Sequence, residues 1–136
     1  MSKRIETLDR KIGYILARLG VPVKKPFFVK MVKRLLDKGL NVDVKIYNVE
    51  GRLVSPTIEN IMERLAEKGY VKILYTLDKR GYANLYVEVY SPTEKIKKFL
   101  ENPKFSKKDK KIIDDYVDEF LSRVKLISKS ASQTTS

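Results

Sequence analysis

Residues 55–90, SPTIENIMERLAEKGYVKILYTLDKRGYANLYVEVY, change their hydrophobic period once, and that change decides the fold. Ser55-Pro56-Thr57 is a helix start: a serine at the N-cap and a proline at the first helical position, where the missing N–H is harmless. Ile58, Ile61, Met62, Leu65 and Ala66 follow at steps of three and four, one apolar stripe, until Gly69 ends the helix. The period then falls to two. Val71, Ile73, Tyr75 and Leu77 alternate along one strand, and Ala83, Leu85, Val87 and Val89 along another. Between them Asp78-Lys79-Arg80-Gly81 has turn chemistry, which puts two cations at the tip of a hairpin.

Working outward, residues 3–19 have the pattern of a first helix, with Ile5, Leu8, Ile12, Ile15, Leu16 and Leu19 on one face and Gly20 as its stop. Residues 21–25 read as a connector. Pro26 opens a second helix through Phe27, Phe28, Met31, Val32, Leu35 and Leu36, closed by Gly39. Residues 41–50 fit two patterns: Val42, Val44 and Ile46 alternate like a strand, while Val42, Ile46 and Val49 suit a short helix. The context favours the short helix, since a helix followed by a tight turn and the Ser55 cap is a helix-turn-helix arrangement. Beyond the hairpin, Ser91-Pro92-Thr93-Glu94 starts a short helix with Ile96, Phe99 and Leu100 that breaks near Asn102-Pro103.

The last helix is the most regular. Ser106 caps it with Asp109 three residues on, and Ile113, Val117, Phe120, Val124 and Ile127 step by 4, 3, 4 and 3, the spacing of a coiled-coil seam. Such a seam needs either the first helix of its own chain or a second copy. A homodimer joined through Ile5, Leu8 and Ile12 of the first helix and those five residues of the last is expected. The domain plan is then 1–104 as a compact binding domain, 105–128 as a dimerisation helix, and 129–136 as a polar, disordered tail.

Composition narrows the chemistry. Cys and His are both absent, which excludes disulfides, thiolate or imidazole metal ligands and imidazole acid–base catalysis. Asp114, Asp115, Asp118 and Glu119 are the only tight acidic cluster, and their place opposite the apolar seam makes them a solvated helix face. No catalytic residue, metal or cofactor is expected. No run of about 18 apolar residues spans a membrane, and the first residues lack a signal-peptide core, so a cytoplasmic location is expected. The abundance of Lys, Glu, Ile and Val, with a single Gln, suits a thermostable protein.

The net charge of +12 is more than solubility requires and points to a polyanion. It is unevenly placed: +8 over residues 1–40, −1 over 41–70, +1 over 71–90, +5 over 91–112 and −1 over 113–136. The basic charge flanks the Ser55-capped helix and does not sit on it.

In its order of elements the chain resembles winged helix-turn-helix DNA-binding regulators of the MarR and PadR type, including small archaeal members. Three stretches carry the resemblance: Val54 to Ile58 with Arg64 to Val71, the tip Asp78-Lys79-Arg80-Gly81, and Val89-Tyr90-Ser91-Pro92 leaving the hairpin. The fold class implied is α+β, mostly α: a winged helix-turn-helix with a two-stranded wing and a C-terminal dimerisation helix. The resemblance implies a sequence-specific, double-stranded DNA-binding protein, a transcriptional regulator or similar, with recognition helix 56–68 in the major groove and wing tip 78–81 on the minor groove or backbone. Ser55, Thr57, Asn60 and Arg64 would then read bases, and Lys79 and Arg80 would sit in the negative potential of the adjacent groove. Lys30, Lys33 and Arg34 would add phosphate contacts. Two departures stand out: the stretch from Gly51 to Ser55 is long for the turn, and Glu59, Glu63 and Glu67 make the recognition helix acidic. The alternative is a winged-helix adaptor whose acidic helix and tyrosine-rich hairpin bind another protein in a partition, replication or transcription assembly.

Overall fold

The computed structural model describes residues 5–78 and 85–134, with the side chains of residues 78, 85 and 125–134 outside that description. It is α+β and mostly helical. In chain order the elements are α1 (Thr7–Leu19), β1 (Val23–Lys24), α2 (Lys25–Asp37), β2 (Tyr47–Val49), β3 (Arg52–Val54), α3 (Pro56–Glu67), β4 (Val71–Asp78) and β5 (Leu85–Pro92). A 3-10 turn at Glu94–Ile96 leads into the short α4 (Lys97–Glu101), and α5 (Lys107–Thr134) completes the described chain.

The apolar stripes fold inward as their periods require. Ile12, Ile15 and Leu16 of α1, Phe28, Met31, Val32 and Leu35 of α2, and Ile58, Ile61, Met62 and Leu65 of α3 are all buried in one core. Tyr90 of β5 enters that core edge-on to Phe28, with ring centroids 5.8 Å apart. Phe99 of α4 closes it, stacked on Tyr70 at 4.6 Å. Gly13 permits this closure. A Cβ added at Gly13 would lie 2.6 Å from Phe99 Cε2 and 3.4 Å from Leu65 Cδ1. Because the Phe99 ring is itself buried, it has nowhere to withdraw. Gly13→Ala should therefore lower the stability by about 1–2 kcal/mol although alanine is the better helix former. Urea unfolding checks the sign, and a higher midpoint would contradict this packing.

Three antiparallel strands form a sheet in the order β1-β5-β4. The β4–β5 register runs without interruption from Val71 opposite Pro92 to Asp78 opposite Leu85, so the hairpin expected over this stretch is present. Its connecting residues 79–84 lie outside the described residues. β1 had read only as connector; two residues, Val23 opposite Tyr90 and Lys24 opposite Val89, attach it to β5. Thr93 Oγ1 donates to Gly69 O at 2.7 Å and Tyr70 O at 3.0 Å, which fastens the end of the hairpin to the end of α3.

Two expectations need correction. Residues 41–50 are not a helix: the chain turns after α2, with Val42 N donating to Leu40 O at 3.2 Å, runs without a regular element to Ile46 and then forms the β2–β3 hairpin, with Tyr47 opposite Val54 and Val49 opposite Arg52. Val42 and Val44 are buried while Asn41, Asp43 and Lys45 between them are exposed, so the two-residue period governs. Glu50 and Gly51 both take positive φ, 51° and 82°, to make the tight turn. α1 begins at Thr7, with Glu6 still extended, rather than at residue 3. α5 itself runs through Thr134.

The apolar seam of α5 also lands differently. Ile113 and Val117 are fully buried in the chain's own core beside Ile5 and Ile12, with Leu8 partly buried against them. Phe120 packs on Phe27 of α2, centroids 5.6 Å apart. The buried members, Ile113, Val117, Ile5 and Ile12, are core and not a dimer face, because α1 and α2 of the same chain supply the groove this part of the seam needs. Val124 alone of the seam is exposed among the described side chains, and the side chain of Ile127 lies outside them.

A candidate nucleic-acid interface

α3 is positioned by its cap. Ser55 Oγ accepts from Ile58 N at 3.2 Å and donates to Lys45 O at 2.7 Å, and the residue is buried. Thr57 Oγ1 accepts from Lys45 N at 3.4 Å. The two hydroxyls thus bind the chain at Lys45, just before the β2–β3 hairpin, to the first turn of α3. Ser55 is inaccessible to a ligand, so its role is capping.

Arg64 is engaged from within. Its Nε and Nη2 donate to the two carboxylate oxygens of Asp9 at 2.9 and 2.8 Å, a bidentate fork across α1 and α3. Asp9 is completely buried, whereas the Arg64 side chain remains 43% exposed. Hydrogen bonding to Asp9 raises the guanidinium pKa further above its already high value. The Nε–Nη2 edge of the guanidinium is therefore committed to a carboxylate, which fixes the side chain against α1. Of the four candidate base readers on the helix, only Asn60 is well exposed.

Beside Asn60, Glu63 and Glu67 face solvent. Glu59 accepts from Lys25 Nζ at 2.6 Å, and Lys25 also reaches Glu88 at 3.1 Å. Burial works against the Lys25 charge, yet hydrogen bonds to both carboxylates raise its pKa. This three-way contact ties α2, α3 and β5 together.

The exposed cations gather elsewhere. Lys30, Lys33, Arg34 and Lys38 line the outer side of α2, where Asp37 lies 3.8 Å from Lys33. A second group, Lys97, Lys98, Lys104, Lys107, Lys108 and Lys111, covers α4 and the start of α5. Lys95 caps the end of α3, its Nζ donating to Lys68 O at 2.5 Å and lying 4.6 Å from the centre of the Tyr70 ring. Lys79 and Arg80 lie outside the described residues.

The acidic side of α5 is paired. Asp114 accepts from Tyr14 Oη at 2.6 Å, Arg18 Nε at 3.0 Å and Lys110 Nζ at 2.8 Å. Burial and the hydrogen bond to Asp114 push the Tyr14 hydroxyl up to about 12. Asp118 pairs with Arg18, and Glu119 with Arg123 at 2.5 Å. Among the described residues, no three carboxylates converge as a metal site. An open groove of about 370 Å³ between α2 and α5 has mixed charge, with Arg34, Lys38 and Arg123 set against Asp37 and Glu119.

The sequence reading missed the β2–β3 hairpin. Leu53 faces the core while Tyr47, Val49, Arg52 and Val54 share the opposite, solvent face. The signal was present as the Val42-Val44-Ile46 alternation followed by Asn48 and Gly51. Asn48 Oδ1 indeed accepts from Gly51 N at 2.9 Å to close the turn. Comparison with protein-family models, with curated proteins and with solved structures finds no match to this chain.

Proposed function

We propose that the protein binds double-stranded DNA as a winged helix without enzymatic activity. The observation that supports this most is topological: the β4–β5 hairpin directly follows α3 and is anchored through β5 to β1, the strand between the first two helices. The pairing with β1 and the Thr93 hydrogen bonds to Gly69 and Tyr70 hold the base of this hairpin against the end of α3. The net charge of +12 and the exposed row Lys30, Lys33 and Arg34 on α2 supply phosphate contacts. Direct reading of bases falls to Asn60 and the partly exposed Thr57 at the start of α3. Ser55 and Arg64 belong to the scaffold.

A second reading has its own observation. The outward side of α3 carries Asn60, Glu63 and Glu67, and the outer face of β2–β3 carries Tyr47, Val49 and Val54, a surface suited to a protein partner in an adaptor.

Fluorescence anisotropy with a labelled duplex of roughly 20 base pairs separates the two. For about 8 phosphate contacts the logarithm of the affinity should fall with the logarithm of salt at a slope near −7. Replacing Lys30, Lys33 and Arg34 together by glutamate should weaken binding at least about tenfold and make the slope shallower. No binding at low salt, or an affinity indifferent to both salt and the triple change, would rule out the DNA reading and leave the adaptor.

A further inference from the structure

β4 is an edge strand with an unusual surface. It is eight residues long, VKILYTLD, contains neither proline nor glycine, and holds an unbulged register against β5. Edges of this length in soluble proteins are normally broken by proline, bulges or several charges, because their outward N–H and C=O groups recruit another strand. Here only Lys72 and Asp78, near the two ends, are charged. Between them Leu74 is 47% exposed, Tyr75 65% and Leu77 41%, and Tyr86 beside them on β5 is 73% exposed. The root of the hairpin reaches the core through Val71 and Tyr90, while its outer half carries this apolar surface away from the core.

We propose that the protein forms a homodimer by antiparallel pairing of β4 with β4 of a second copy, in the register that sets Tyr75 opposite Tyr75. Self-complementarity is what selects a second copy as the occupant. Along a strand, successive residues turn their N–H and C=O groups to opposite edges, so two identical antiparallel strands pair only when the twofold axis passes through a residue. The central choices are Leu74, Tyr75 and Thr76. Of these, only the Tyr75 register places Lys72 of each copy opposite Asp78 of the other, giving two opposite-charge pairs at the ends of the joined strands. The same register sets Ile73 opposite Leu77 and Leu74 opposite Thr76 on the two faces. The result is one six-stranded sheet, β1-β5-β4-β4-β5-β1, with no free β4 edge. This pairing uses the outer edge of the hairpin proposed above as the wing, and neither the basic side of α2 nor the start of α3.

Light scattering on the full chain tests it. The wild type should have twice the monomer mass of 15.8 kDa. Tyr75→Lys, which sets two ammonium groups against each other at the axis, should yield a monomer whose helical circular dichroism is unchanged, since Tyr75 is exposed. Lys72→Asp should raise the dimer dissociation constant about tenfold by placing like charges opposite each other at both ends. Lys72→Asp combined with Asp78→Lys should restore the wild-type value. A wild-type monomer at roughly 100 µM, or a dimer indifferent to both single changes, overturns the proposal. So does failure of the charge exchange to restore pairing.

Discussion

Asp109→Ala should lower the unfolding free energy by about 3–5 kcal/mol and the melting temperature by about 10–20 °C, one of the two largest losses expected from a single side chain here. Asp109 stands in the first turn of α5 and is almost wholly buried. Lys11 Nζ of α1 lies 2.7 Å from its carboxylate, and Asn41 N donates to it at 3.1 Å. Lys11 also donates to Asn41 O at 2.7 Å. One carboxylate therefore holds three separate segments: the start of α5, the middle of α1 and the turn of chain after α2. Removing it strands a buried ammonium and a backbone N–H at once.

The same site sets the acid limb of stability. Burial pushes the Asp109 carboxyl up, but hydrogen bonds from Lys11 and Asn41 and the Lys11 charge outweigh it and hold the group below its ordinary value. A depressed carboxylate stabilises the fold fully above the unfolded pKa, about 3.8–3.9, and its contribution is lost as pH falls through the lower, folded value. Thermal melts from neutral pH downward should show the wild type losing stability below about pH 4 and Asp109→Ala losing less over that interval. Parallel curves for the two proteins would mean that the carboxylate is not held as described.

The fold was legible where local period and capping chemistry act together. α3 and the β4–β5 hairpin follow from Ser55-Pro56, the three-and-four stripe, Gly69 and the change to alternation, and all of these act within a few residues. Residues 41–50 suit a helix only through the order of their neighbouring elements, whereas the structure follows the local alternation of Val42 and Val44. Long-range pairing was beyond reach: Lys11 reads as the polar side of α1, and nothing in the sequence says that it finds Asp109 nearly a hundred residues away. The α5 seam shows a subtler limit. Its spacing correctly announces a helix needing an apolar partner, but spacing is the same whether the groove belongs to a second copy or to α1 and α2 of the same chain. Only packing decides between them, and Ile113 and Val117 are decided in favour of the latter.

The candidate site was read with the same unevenness, and Arg64 carries the consequence. An arginine near the end of a capped, solvent-facing helix has the sequence profile of a base reader, yet its partner is Asp9, 55 residues earlier. The pair is asymmetric: the Arg64 side chain is 43% exposed and that of Asp9 1%. Arg64→Ala should accordingly cost about 2–4 kcal/mol, because it leaves a carboxylate buried with its ion-pair partner gone. Asp9→Ala should cost less, since a freed guanidinium that is already part-exposed can turn to water. The double variant Asp9→Ala with Arg64→Ala should then be more stable than Arg64→Ala alone, a reversal that appears only if the arginine serves the buried acid. Duplex binding by the same proteins completes the argument. If Arg64 is scaffold, the folded double variant should retain affinity within about threefold and the same salt slope, whereas loss of a base-reading arginine would cost about 1–3 kcal/mol of discrimination between cognate and altered sites. Chemical denaturation of all four proteins, followed by anisotropy on the folded ones, measures both. A double variant as unstable as the sum of the two single losses would dissolve the coupling between α1 and α3 and return Arg64 to the candidate ligand-facing residues on α3.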